Sequence, residues 1–132
     1  MANFCIITNN PMVMEKYPCV TTLLDTSVEG VFRAARDEIH LGAALVNHPL
    51  SGSVKPNESP YKSLVLAGGG GPVDFASLRL IEGAKEVLDK LPPKNRRYSK
   101  ETLEDFMVID LDLLNSAVSA LPARYHMVPD RR

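Results

Sequence analysis

The chain has 132 residues and a mass of 14.5 kDa, room for one compact domain and none for a tandem array or a separate substrate domain. Hydrophobic residues at 45% and charged residues at 23% allow a real core, which excludes a disordered, collagen-like or coiled-coil chain. Fifteen Lys and Arg against sixteen Asp and Glu leave a formal charge of -1, so no global field draws the molecule to nucleic acid or an anionic membrane.

In chain order, Phe4 to Thr8 reads as a short buried strand that ends at the turn residues Asn9, Asn10 and Pro11. Met12 to Tyr17 allows a turn or two of helix before Pro18, and Cys19 to Leu24 reads as a second strand. Thr26 with Glu29 three residues later has the capping-box pattern. Val28, Val31, Phe32, Ala35 and Ile39 then recur at helical spacing, and Gly42 is placed to stop the helix. Ala43 to Val46 is a third strand. The polar stretch 47–63 follows, with three prolines and four serines. A loop of that length is uncommon in so small a domain unless it folds over something or moves.

The run LVLA from Leu64 to Ala67, begun at Tyr61 or Lys62, is a fourth strand that enters Gly68, Gly69, Gly70 and Gly71. Asp74 is placed to cap a helix reaching Leu91, with Leu78, Ile81, Ala84, Leu88 and Leu91 on one face. Beyond a basic connector at 94–97, Ser99 caps a further segment. As one helix to Leu121, this segment carries Asp110 inside its apolar face. Split, residues 106–109 form a fifth strand and Asp110 or Asp112 caps a last helix. The split reading is preferred, because an unpaired carboxylate in an apolar stripe is costly. Residues 122–132 read as a loose tail.

Strands alternating with helices imply an α/β domain over 1–132: a small three-layer sandwich, with a mostly parallel sheet of four or five strands and helices on both faces. Ligands in such sheets lie beyond the carboxyl ends of the strands, which selects residues 9–12, 47–63 and 68–74. Strand, tetraglycine and helix can hold an anion on backbone N–H groups, although Pro72 removes a donor and Asp74 adds a negative charge. His48, directly after a short strand, stands where a working imidazole is displayed. Around it lie Ser51, Ser53, Lys55, Asn57, Tyr61 and Lys62 as candidate ligand contacts, together with Asn9 and Asn10 from the first turn.

Ser51-Gly52-Ser53 lacks the flanks of a nucleophile elbow. The three histidines share no metal-ligand spacing, so no metal is expected, and no cofactor is called for. His40 at a helix end and His126 in the tail read as structural or idle. Cys5 and Cys19 fit neither a redox pair nor a zinc site, and read as buried free thiols. With no leader and no apolar run of spanning length, the expected compartment is the cytoplasm.

The run NHPLSGSVKPNESPYKSLVL from Asn47 to Leu66, together with IITNNP from Ile6 to Pro11, resembles the GrdX family. These are small proteins associated with glycine, sarcosine and betaine reductase gene clusters in anaerobes that ferment amino acids. The resemblance implies an accessory role without an established activity, and carries over no catalytic residue. The expected function is an accessory protein that binds a small anionic metabolite or a reductase-complex protein, with a homo-oligomer allowed. The alternative is a small enzyme in which His48 acts as general acid or base on an anionic substrate.

Overall fold

The computed structural model describes residues 4–50, 58–91 and 97–121. In chain order the elements are β1 (Phe4–Thr8), α1 (Pro11–Lys16), β2 (Thr21–Leu23), α2 (Val28–His40), β3 (Ala43–Leu45), β4 (Ser63–Gly68), α3 (Phe75–Lys90) and α4 (Lys100–Ser119). The strands form one sheet in the order β2-β1-β4-β3. β1 pairs in parallel with β2, whereas β4 lies antiparallel to both β1 and β3.

The sheet is therefore mixed and mostly antiparallel, which corrects the expectation of a mostly parallel sheet. β1, β2 and β3 all point the same way, and β4 enters between β1 and β3 in the opposite sense. The cause lies in the connections. The links from β1 to β2 and from β2 to β3 carry helices, but no described residue between β3 and β4 is helical. Parallel neighbours need a crossover, whereas a loop can simply turn the chain back. The sheet has four strands. Residues 106–109 belong to α4 rather than to a fifth.

Successive strand residues point to opposite faces, so the two central strands bury apolar side chains on both. Ile7, Leu64 and Leu66 pack with Val31, Phe32, Ala35 and Ile39 of α2 and with Ile81 and Ala84 of α3. Ile6 and Val65 point the other way, against Val13 of α1, Leu114 of α4 and Leu121. Burying a large apolar side chain such as Phe32 or Ile39 contributes about 1.5–3 kcal/mol. Both are fully buried, as the 3.6-residue spacing requires.

The helix ends follow local chemistry. α2 is capped by Ser27, whose Oγ accepts the Gly30 N–H, rather than by Thr26 as the capping-box pattern suggests. Ser99 caps α4 through the Thr102 N–H. Asp74 precedes α3 without capping its backbone. Its carboxylate instead accepts from Ser77 Oγ, which in turn accepts the Leu45 N–H at the edge of the sheet.

Gly42 has φ +100, and a Cβ there would stand 2.6 Å from the backbone N and O of Gly71. A Cβ on Gly83, inside α3, would meet nothing. The same substitution should thus have opposite signs. Gly42→Ala should destabilise by more than ~1 kcal/mol from the backbone conformation alone, and Gly83→Ala should stabilise by ~0.5–1 kcal/mol. Urea unfolding of the two variants checks this.

Cys5 is half-buried and Cys19 is exposed, and neither forms a disulfide, so the reading of two buried thiols holds for neither in full. Burial, reinforced by Glu38, raises the Cys5 thiol and keeps it protonated. Among the described residues no helix is long and apolar enough to cross a membrane.

Candidate functional site

Register decides which candidate residues meet. Thr8 pairs with Ser63 and Phe4 with Ala67, while Leu45 pairs with Leu66 and Ala43 with Gly68. The carboxyl ends of β1 and β3 and the start of β4 therefore share one rim. The carboxyl end of β4, with Gly68 to Gly71, lies at the opposite rim. Asn9, Asn10, His48, Tyr61 and Lys62 come together; the tetraglycine turn does not join them. Because β4 runs against its neighbours, the strand-end rule sends its glycines the other way.

The glycines there serve the packing of α2. Gly68, Gly69 and Gly70 all take positive φ, and the Gly70 N–H donates to the Leu41 carbonyl at 2.7 Å. That bond satisfies a carbonyl left over at the C-terminus of α2. Ser51, Ser53, Lys55 and Asn57 lie outside the described residues, as does His126.

At the shared rim, three asparagines and two hydroxyls build a polar wall. Asn9 Oδ1 accepts the Lys62 N–H at 2.9 Å, and its Nδ2 donates to the carbonyls of Thr26 and Pro60. This fastens the approach to β4 against the end of β1. Asn47 does the same from β3. Its Oδ1 accepts the Val65 N–H at 2.8 Å and its Nδ2 donates to the Ser63 carbonyl at 3.2 Å, so the amide adds a rung beyond the end of the strand. Asn10 is fully buried. It caps α1 through the Met12 N–H, and its Nδ2 donates to Met107 O at 2.9 Å and to Asp110 Oδ2 at 3.0 Å. Asn9 and Asn10, read as ligand contacts from the sequence, spend these groups on holding the rim in shape.

Asp110 is the centre of this wall. Only 7% exposed, it projects from the middle of α4 toward the sheet. The alternation that places Ile6 on the α4 face also places Thr8 there, and Ser63 is its partner across the ladder. Ser63 Oγ donates to Asp110 Oδ2 at 2.7 Å and lies 2.7 Å from Thr8 Oγ1, which also contacts the Lys62 carbonyl at 3.1 Å. The carboxylate is thus hydrogen-bonded, and its cost inside the apolar stripe is offset. That is why α4 continues through residue 110, and why the division into strand and helix does not occur. Neither Asp110 nor Asp112 is a cap.

Burial pushes the Asp110 carboxyl above its ordinary value, against the opposing pull of Asn10, Ser63 and the Lys62 ammonium. Burial likewise lowers Lys62, while Asp110 supports its charge. Each ion makes the other tolerable in a partly dry setting.

A cleft of about 40 Å³ opens beside this pair. Asn47, His48, Lys62, Ser63 and Asp110 form its polar side, and Leu113, Leu114 and Ala117 of α4 its apolar side. His48 is exposed, and its Nδ1 accepts the Leu50 N–H at 3.1 Å. In the neutral ring that leaves Nε2 carrying the hydrogen, so the imidazole offers a donor rather than a base. Tyr61 is half-buried beside the rim, does not line the cleft, and has its phenol raised by burial. Among the described residues no group of three or more His, Cys, Asp or Glu side chains could hold a metal ion.

Residues 5–119 match the GrdX-like protein family. The chain belongs to that family. No curated protein and no solved structure gives a significant match. Membership supports, at the level of the family, an association with glycine-reductase-type systems, and it specifies no activity.

The sequence names His48 and Lys62 as candidates; the structure sets Asn47, Ser63 and Asp110 beside them in the cleft, with Thr8 hydrogen-bonded behind Ser63, companions that the sequence does not single out. The available signal was a single carboxylate in the apolar face of a helix, matched by hydroxyls at the ends of two strands that are otherwise apolar on that face.

Proposed function

We propose that this chain is a cytoplasmic accessory protein of glycine, sarcosine or betaine reductase systems, and that it binds a small anionic metabolite at the Lys62 rim. The observation that carries this reading is the meeting of Lys62 and His48 in one cleft. They come from opposite ends of the 47–63 stretch and are held there by Asn47 and Asn9. An ammonium and an imidazole N–H converging on a partly buried cleft favour an acceptor ligand over a donor. The position of His48 Nδ1 against Leu50 supports a contact role over general-base catalysis.

The test is a thermal-stability titration of the whole chain with acetate, glycine and inorganic phosphate. A ligand present at a hundred times its Kd stabilises the native state by about 2.7 kcal/mol, a shift of several degrees in Tm. The expected result is such a shift in the wild type and its loss in Lys62→Met. No shift with any of the three, or an equal shift in Lys62→Met, contradicts the reading.

A further inference from the structure

We propose that a pocket at the amino ends of β1 and β2 binds a small amphipathic carboxylate, an apolar body of about eight to ten carbons lying along the pocket wall with its carboxylate at Lys16. The site is separate from the Lys62 rim and shares no lining residue with it.

Three observations lead to it. The first is space. A cavity of about 540 Å³ opens between the α1–β2 turn and the last turn of α4, inside the range of about 300–1,000 Å³ that holds small organic ligands. The second is the wall. Phe4, Tyr17, Pro18, Val20 and Val118 line it with rings and methyl groups. The Tyr17 hydroxyl is spent on Asn115 Oδ1, so this ring offers contact area rather than a donor. Val20 also packs with Ile6, Val13 and Leu114, which fixes that part of the wall. Cys19 and Val118 each have an interaction of their own within the chain and contribute only shape. The third is charge. Lys16 is the only charged residue among those that line the pocket, it is exposed, and among the described residues it has no carboxylate partner.

The segments that build the pocket leave that charge unopposed. Residues 4–14, 16–24 and 113–121 contain no Asp or Glu, and Glu15, exposed on α1, is not part of the lining. The end of α4 carries fractional negative charge on its carbonyls, but those of Ser116 and Val118 accept the N–H groups of Ala120 and Leu121. A full ammonium charge outweighs the remainder and favours an anionic head over a cationic one. The apolar wall favours a body without hydrogen-bonding groups, because a polar group carried onto it would lose water and gain no partner. At about 30 Å³ for each water-sized position, a ligand of about a dozen heavy atoms occupies most of the cavity, whereas acetate leaves most of it unfilled.

The test is an NMR titration of the whole chain with hexanoate, octanoate and decanoate, each below its micelle threshold. The expected result is saturable shifts centred on Lys16, Tyr17, Cys19, Val20, Val118 and Ser119, with affinity rising about two- to fourfold for each added CH2. Any shift at Asn47, His48 or Lys62 should follow acetate and not grow with chain length. Decanol and decylammonium should bind more weakly than decanoate. Lys16→Gln should bind decanoate up to about fivefold more weakly, the contribution of an exposed ion pair. Ser119→Phe, which fills the pocket from an exposed helix position, should bind it at least about tenfold more weakly. Absence of saturable binding, equal binding of decanol, tighter binding of decylammonium or an affinity that ignores chain length overturns the proposal. So does a general loss of spectral dispersion in place of local shifts. Shifts at the same residues when the protein alone is concentrated also overturn it, by placing a second copy in the pocket. Each of these outcomes leaves the reading of the Lys62 rim standing, since that reading is tested by acetate, glycine and phosphate. Should Ser119→Phe fail to fold, the chain-length series and Lys16→Gln decide the matter on their own.

Discussion

Replacing Asp110 by alanine is expected to cost about 2–4 kcal/mol of folding stability, measured by urea unfolding at neutral pH. The substitution removes the acceptor of both Asn10 Nδ2 and Ser63 Oγ and takes the counter-charge from a partly buried Lys62. Relief of the buried carboxylate's own desolvation works the other way, and it keeps the loss below what a fully buried ion pair would give. Asp110→Asn retains an acceptor oxygen and should lose less than about 1.5 kcal/mol.

The pH dependence separates these effects. Because burial raises the carboxyl, the native protein keeps this proton at a pH where the unfolded chain has released it. The resulting stability is complete below the unfolded value of about 3.9 and is lost as the pH rises through the native value. Relative to Asp110→Asn, the wild type should therefore weaken as the pH is raised from about 4 toward neutrality. The opposite slope would mean that the ionised carboxylate is the form the fold favours.

Asn10→Ala should be nearly as damaging, at about 2–4 kcal/mol. One buried amide caps α1, bonds the Met107 carbonyl in α4 and donates to Asp110, so its loss unties the β1–α1 turn from α4. Asn10→Asp is the informative companion. It preserves the cap on Met12 but sets a second carboxylate against Asp110 in a buried place, and it should be no more stable than the alanine variant at neutral pH. Acidification toward about pH 4 should recover more of the loss in Asn10→Asp, which adds a second carboxylate, than in Asn10→Ala, which only removes a donor that favours ionised Asp110. A double-mutant cycle between Asn10→Ala and Asp110→Ala should give a coupling of about 1–2 kcal/mol. Simple additivity would place the two residues in separate parts of the structure.

Local signals carried much of the architecture. The apolar block of Phe4 to Thr8, the helical spacing from Val28 to Ile39 and the run from Leu64 to Ala67 are each visible in sequence, because each is a periodicity set by burial. Strand direction is not local. Nothing within Leu64 to Ala67 states which way that segment runs, and reversing it moved the glycine turn to the far rim, away from His48. Asp110 was visible but misjudged. A carboxylate in an apolar face is expensive only without partners, and its partners lie 47 and 100 residues earlier in the chain, at Ser63 and Asn10. Asn9 and Asn47 stand at strand ends, where asparagine is an ordinary turn residue. Only the register shows that their amides extend the hydrogen bonding of the sheet edge and so place Lys62 and His48.

The most direct test is an amide-resolved NMR titration of the intact chain with acetate. Binding at the carboxyl end of β1 and β3 predicts shifts concentrated at Asn47, His48, Lys62, Ser63 and the turn of α4 around Asp110, with Gly68 to Gly71 unmoved. Shifts confined to the tetraglycine turn, or none at all, would contradict it.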